Sequence, residues 1–187
     1  MTVSPFIDHV VVAARTLDEG ARWVEERLGV APVAGGKHAL MGTHNRLLKL
    51  GPRVYLEVIA VDPDAPPPAR PRWFALDDPA MVEALEQGPA LIHWVERTDS
   101  IESDLRRVPD AIEILSAARG PYRWRIGVPA DGHLPCAGRV ATLIEWQGDA
   151  HPAEALPESG CRLVALEANE GAPRATIETP RGLVVLE

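Results

Sequence analysis

Ile7-Asp8-His9-Val10-Val11-Val12 and Leu91-Ile92-His93-Trp94-Val95 decide how this chain is expected to fold. Each is an apolar, β-branched run of strand length with a histidine inside it. His9 lies eight positions before Leu17, and His93 lies eight positions before Ile101. After the first run, Thr16 and Glu19 have the spacing of a helix capping box. A helix through Ala21, Val24 and Leu28 follows, and Gly29 supplies its C-terminal cap. After the second run, Ser100 takes the place of Thr16, and a helix runs through Leu105 and Val108. A strand-helix unit with a histidine at one fixed point therefore occurs twice, which is an internal repeat.

Each unit continues into strands. In the first half these are Lys37 to Met41, Arg46 to Leu50 and Arg53 to Val61, the last two joined at Gly51-Pro52 as a hairpin. In the second half they are Ala111 to Leu115, Tyr122 to Val128 and Ala141 to Trp146, with Asp131-Gly132 as a turn. Asp62 to Pro71 is proline-dense and reads as a stiff, extended linker rather than core. Asp78-Pro79 opens a short helix. Beyond His151-Pro152, Cys161 to Ala168, Ala175 to Glu178 and Leu183 to Leu186 read as three further strands. The organisation expected is a first module at 1–61, linker and short helix at 62–88, a second module at 89–148 and a β extension at 149–187.

The chain is 187 residues long, 46% hydrophobic and 25% charged, enough to bury a core. A formal net charge of -8 argues against nucleic acid, which needs clustered Lys and Arg. Met1 to Asp8 lacks the basic-then-apolar pattern of a signal peptide, and no apolar run has the length of a membrane span. A cytoplasmic protein with free thiols at Cys136 and Cys161 is expected. There is no Gly-x-Ser-x-Gly, phosphate loop or dinucleotide fingerprint, which weighs against hydrolase, kinase and dehydrogenase chemistry.

Glu57 and Glu145 each interrupt an apolar strand, where a carboxylate is costly unless paired or bound to a cation. With His9 and His93 they make two imidazoles and two carboxylates, a set suited to Zn, Ni, Mn, Co or Fe. The bland alternatives are core histidines, and pairing of the glutamates with Arg46, Arg53, Arg125 or Arg139. Gly42-Thr43-His44-Asn45 reads either as a turn or as a loop offering His44 and Asn45 to a ligand, with His38 a weaker candidate. Trp94, Trp124 and Trp146 suit either a pocket or the core, and His133 and His151 receive no role.

In the order His9, Glu57, His93, Glu145 the chain resembles the vicinal-oxygen-chelate superfamily of glyoxalases, bleomycin-resistance proteins and extradiol dioxygenases. Gly42-Thr43-His44-Asn45-Arg46 and Leu143-Ile144-Glu145-Trp146 resemble its glyoxalase-like subgroup. The resemblance spans roughly residues 6 to 187. It implies an α+β fold in which two βαβββ modules curl into a half-barrel around a cavity, followed by the C-terminal β extension. It also implies a divalent metal on His9, Glu57, His93 and Glu145, with either glutamate free to act as base. His44, Asn45, Arg46 and Trp94 would meet the substrate. A lyase or isomerase on a small oxygenated molecule fits four protein ligands, and an extradiol-type dioxygenase ranks second. A non-catalytic binder of the bleomycin-resistance type is the alternative. Glyoxalase activity on a glutathione adduct is a narrower subset, disfavoured by the acidic balance. The partner is a small molecule, with a homodimer as one arrangement of the halves. One departure stands out: Thr179 to Leu186 resembles the run that precedes the last ligand strand, but puts Leu186 at the ligand position. Either that run is an extension and Glu145 is the ligand, or the second half has lost its last ligand. The similar spacings, 9 to 57 and 93 to 145, favour Glu145.

Overall fold

The computed structural model describes residues 4, 6–168 and 173–187, so residues 1–3 and 5, half of the Met1 to Asp8 stretch, lie outside it. The first module comprises β1 (Ile7–Ala13), α1 (Leu17–Leu28), β2 (Val33–His38), β3 (Thr43–Gly51) and β4 (Val54–Val61). A connecting segment holds α2 (Pro79–Glu86). The second module comprises β5 (Ala90–Arg97), α3 (Ile101–Leu105), β6 (Ile112–Arg119), β7 (Tyr122–Pro129) and β8 (Thr142–Trp146). The extension adds α4 (Pro152–Ala155), β9 (Arg162–Glu167), β10 (Arg174–Thr179) and β11 (Gly182–Leu186).

The modules join into one eight-stranded mixed sheet, ordered β2-β3-β4-β1-β5-β8-β7-β6. Each contributes four strands in matching order, and the seam is the antiparallel pair β1–β5. The halves therefore close on each other within one chain. The sheet curls until its two edges, β2 and β6, come into contact, giving a half-barrel with a concave and a convex face. Strands β9 to β11 form a separate antiparallel sheet.

The cap read at Thr16 is formed: its side chain accepts from the Glu19 N–H, and Gly29 ends α1 at φ 75°. Ser100 makes no such bond, and α3 is only five residues long. Alternation sorts the strand residues. Val10, Val12, Leu48, Leu56 and Val58 form the convex core with Val24 and Leu28 of α1 and with Leu163, Ile177 and Leu186 of the extension. The Thr179 to Leu186 run is thus part of that extension, and Leu186 is a core residue.

Helix α1 lies close to the sheet because residue 20 has no side chain. A Cβ on Gly20 would stand 2.4 Å from Val58 Cγ1 and 2.9 Å from Ala14 Cβ. Helix propensity would favour Gly20→Ala by up to about 1 kcal/mol, but overpacking costs about 1–3 kcal/mol. The expected result is a net loss of stability, read as a lower denaturant midpoint with an unchanged slope.

Past the prolines, the connecting segment packs into the core. Trp73, Phe74 and Leu76 are buried on the concave side, among Val11, Ile59, Val95, Trp124, Ile126 and Ile144.

Candidate functional site

The concave face encloses a small cavity of about 30 Å³, touched by His9, His38, Asn45, Glu57, Arg119 and Trp146 among others. That is room for about one or two waters. Strand register explains the membership. His9 lies opposite Tyr55 and Val11 opposite Glu57 across β1–β4, so all four share the concave face. Asn45 reaches it from β3, His38 from β2 and Arg119 from the far edge strand β6.

Asp8 and His9 are sequence neighbours and should point to opposite faces of β1. The pairing with β5 is irregular between Ile7 and His9, and at this bulge both side chains meet. The His9 Nδ1–H donates to Asp8 Oδ1 at 2.7 Å. Asp8 Oδ2 accepts from Trp146 Nε1 at 2.8 Å and from His151 Nε2 at 3.0 Å. His151 Nδ1 accepts the Ala153 N–H at 3.2 Å, which leaves the proton on Nε2. Burial acts to raise the Asp8 pKa, but the bonds from His151 and His9 outweigh it and hold the carboxyl well below the usual range. Asp8 is therefore an ionised, fully buried anchor that fixes His9 with Nε2 toward the cavity. The Tyr55 ring stacks on His9 at 4.5 Å between centroids.

His9 Nε2 lies 3.6 Å from Glu57 Oε2. The other oxygen, Oε1, accepts from Asn45 Nδ2 at 2.6 Å. Asn45 is held on both sides. Its Oδ1 accepts from the Gly36 N–H at 2.9 Å and from Arg119 Nη1 at 3.0 Å. These donors, together with the two acceptors Glu57 and His38 on Nδ2, settle the orientation of the amide. Arg119 Nη1 also lies 3.2 Å from His38 Nε2, and His38 Nδ1 bonds to Thr43 Oγ1 at 3.0 Å. His38 is thus neutral, with Nε2 as acceptor. Burial pushes its pKa down to about 4, Glu57 opposes that shift and Arg119 adds to it. Both hydrogen-bond partners of Arg119 are uncharged, and among the described residues it makes no ion pair. The glycine pair in β2 makes room for this: a Cβ on Gly35 would sit 2.1 Å from Asn45 Oδ1, and one on Gly36 would sit 2.6 Å from Arg119 Cδ.

The structure brings only part of the expected constellation together. His9, Glu57 and Asn45 meet in the cavity. His93 shares the concave face but lies opposite Val11, which separates it from Glu57 by two strand spacings, about 10 Å. Its Nε2 accepts the Thr142 N–H at 3.2 Å. Burial, with the charge of His9 adding, lowers its pKa to about 3. Glu145 is a correction. Ile144 and Trp146 take the concave face, so Glu145 points to the convex one, where it pairs with Arg125 at 2.6 Å and accepts the Ile101 N–H at the start of α3. It does the capping that Ser100 does not. Arg46 is a second correction: it is also convex and pairs with Asp18 of α1. Trp94, paired with Val10, belongs to the convex core. His44 alternates away from Asn45 and has its Nδ1 3.9 Å from Asp62.

A divalent transition metal needs three or four side-chain ligands converging on one point. His9 Nε2 and Glu57 Oε2 have a separation that two ligands of one ion would have. The third and fourth positions fail: His93 Nε2 is engaged by Thr142, and Glu145 is on the other face. Among the described residues no group of three or more His, Cys, Asp or Glu is arranged to hold an ion. The cation present is the Arg119 guanidinium. The four-ligand site does not fit this fold.

His38 and His93 give the protein an acid limit. Both fold as neutral imidazoles with pKa values below the unfolded value of about 6.5. The unfolded chain takes up their protons first, so stability is complete above that pH and falls as pH drops toward 4 and 3. By pH 5 the loss should be about 2 kcal/mol from each. Asp8, with a lowered pKa, adds its own loss only below about pH 4. Denaturation at pH 7 and pH 5 reads the difference, and equal stabilities would contradict the neutral assignment.

A half-barrel of two βαβββ modules with polar groups converging on its concave face defines a vicinal-oxygen-chelate protein. The family model described as a glyoxalase-like domain matches residues 7–183, and the chain belongs to that family. No curated protein matches. Among solved structures, the chain is similar to methylmalonyl-CoA epimerase from Mycobacterium tuberculosis, at 17% identity and TM-score 0.49 over 80% of this chain and 92% of that one. It is also similar to a Streptomyces coelicolor methylmalonyl-CoA epimerase variant in complex with 2-nitronate-propionyl-CoA, at 17% identity and TM-score 0.48 over 78% and 95%. A hypothetical protein from Bacillus halodurans matches at 14% identity and TM-score 0.49 over 78% and 95%. Among the described residues no helix is long and apolar enough to cross a membrane.

Proposed function

We propose that the chain is an isomerase or lyase that moves a proton at an acidic carbon of a small oxygenated molecule. The observation that supports this is the 3.6 Å approach of Glu57 Oε2 to an imidazole fixed by Asp8, beside an arginine without an anionic partner among the described residues. In this reading Arg119 binds the substrate oxygen that becomes an oxyanion. Glu57 takes the proton from the adjacent carbon: the C–H bond breaks, and its electron pair moves onto the carbon–oxygen system as an enolate. His9, in proton exchange with Glu57, returns a proton to the carbon or delivers it to a leaving group. Asn45 holds Glu57 Oε1 and leaves Oε2 for the chemistry. No step uses a metal, because the divalent ion expected from the resemblance lacks its third and fourth ligands.

A non-catalytic binder is the second reading, favoured by the aromatic walls of the cavity. The experiment that separates them needs no known substrate. Small 2-oxo and aryl-acetic acids are incubated with the protein in D2O, and their carbon-bound protons are followed by NMR. Deuterium uptake above the buffer rate supports the enzyme. Ligands that bind without any exchange support the binder.

A further inference from the structure

Two hollows of very different size lie on either side of one short segment. On the inside is the cavity of about 30 Å³, walled by Trp73 and Phe74. On the outside is a groove of about 760 Å³ walled by Ala75, Met81, Pro129, Leu134 and Ala137. The Trp73–Ala75 segment is the septum between them. Phe74 and Ala75 both adopt left-handed backbone conformations, φ 58° and φ 57°, which residues with a side chain avoid. On the opposite wall Cys136 and Ala137 do the same, at φ 49° and φ 55°.

The septum is also a poor fit in its polar groups. Trp73 Nε1 and His93 Nδ1 are buried with no hydrogen-bond partner among the described residues. His93 Nε2 accepts from Thr142, so Nδ1 is an N–H. Natural cores seldom leave such donors empty. The Phe74 ring lies 5.8 Å from His93, and the Trp73 ring meets His38 edge-on at 5.2 Å. Two strained residues and two orphaned donors at one place mark a segment held in position without being optimised for it.

We propose that Trp73–Ala75 is a displaceable plug standing in for the substrate, and that the ligand replacing it is a small aromatic carboxylate. Its ring takes the space of the Trp73 and Phe74 rings, between His38 and His93. Its carboxylate pairs with Arg119, the cation of the cavity, whose hydrogen-bond partners among the described residues, His38 and Asn45, are uncharged. Entry is through the outer groove, which the Trp73–Ala75 segment separates from the cavity. This rests on reading the cavity as the substrate site, and it goes further in naming the substrate class and the element that hides the site.

Benzoate is a suitable probe because it has the ring and the carboxylate but no acidic C–H, so its binding is independent of proton transfer. By calorimetry, Phe74→Ala should bind benzoate about tenfold or more tightly than the unaltered protein, since the plug no longer competes. Arg119→Met in the Phe74→Ala background should abolish that binding. Equal affinity with and without Phe74, binding that survives loss of Arg119, or no binding to either protein overturns the proposal. A second readout uses the unaltered chain and does not depend on the variant folding. The Ala75 N–H bonds to Gly132 O at 2.8 Å, and saturating benzoate should speed its hydrogen exchange while leaving β1 and β4 protected. Unchanged or slower exchange at Ala75 also overturns the plug. Failure here would leave any deuterium uptake by other acids, and its dependence on Glu57, untouched.

Discussion

Replacing Asp8 by alanine should cost about 3–5 kcal/mol of folding stability, the range for removing one partner of a buried charged network. Asp8 is fully buried and accepts from His9, His151 and Trp146, so its loss strands three donors at once. Each stranded donor forfeits about 1–3 kcal/mol. The three are not additive, because the methyl of alanine also leaves space that a water can enter. Chemical denaturation at pH 7 reads the loss, and a change within about 0.5 kcal/mol, the size of an ordinary surface substitution, would contradict the anchor. Asp8→Asn keeps the shape and separates structure from chemistry. Its amide offers one acceptor oxygen in place of two, and His9 loses the charge that fixes its proton on Nδ1. Removal of the carboxylate that orients a catalytic imidazole costs about 10⁴-fold in the best-studied hydrolases. A fall in exchange rate of at least about 10²-fold is expected here.

The second large effect is expected at Glu57. Glu57→Gln preserves volume and the bond from Asn45 but cannot take a proton. On the proposed mechanism, deuterium uptake should drop by about 10²–10⁴-fold, the usual contribution of a positioned general base. Ligand binding should change far less, because Arg119 carries it. Glu145→Gln is the matched control. Its carboxylate serves Arg125 and the start of α3 on the convex face, so the variant should lose some stability and keep its exchange rate. A variant pair with these results reversed would return the second glutamate to the site.

Much of the fold was legible because it rests on local signals. The repeated strand with its histidine, the Thr16 cap and Gly29 all sit where the sequence placed them. The site was legible only in part, because it depends on register and curl. Periodicity puts Glu145 on one face of β8 but cannot say which, and the pairing of Ile144 and Trp146 with the concave residues of β7 decides it. Alternation separates Asp8 from His9, and the bulge in β1 brings them back together. Arg119 precedes the turn at Gly120-Pro121 and looks like any hairpin arginine. It reaches Asn45 only because the sheet edges meet. One signal was available: glycines inside a strand mark a close approach, and Gly35-Gly36 is where the Asn45 and Arg119 side chains pass. Trp73-Phe74 was the other, since two large aromatics after a proline-rich run need a place to be buried.

We propose that the concave face works through His9, Glu57 and an arginine rather than through a four-ligand cation. The most direct test is a titration of chelator-treated protein with Zn2+ and Ni2+ by calorimetry, repeated on Glu57→Gln and Glu145→Gln. The expected result is no stoichiometric sub-micromolar site, with Glu145→Gln indistinguishable from the unaltered protein. A tight one-to-one site abolished by both substitutions would contradict the account.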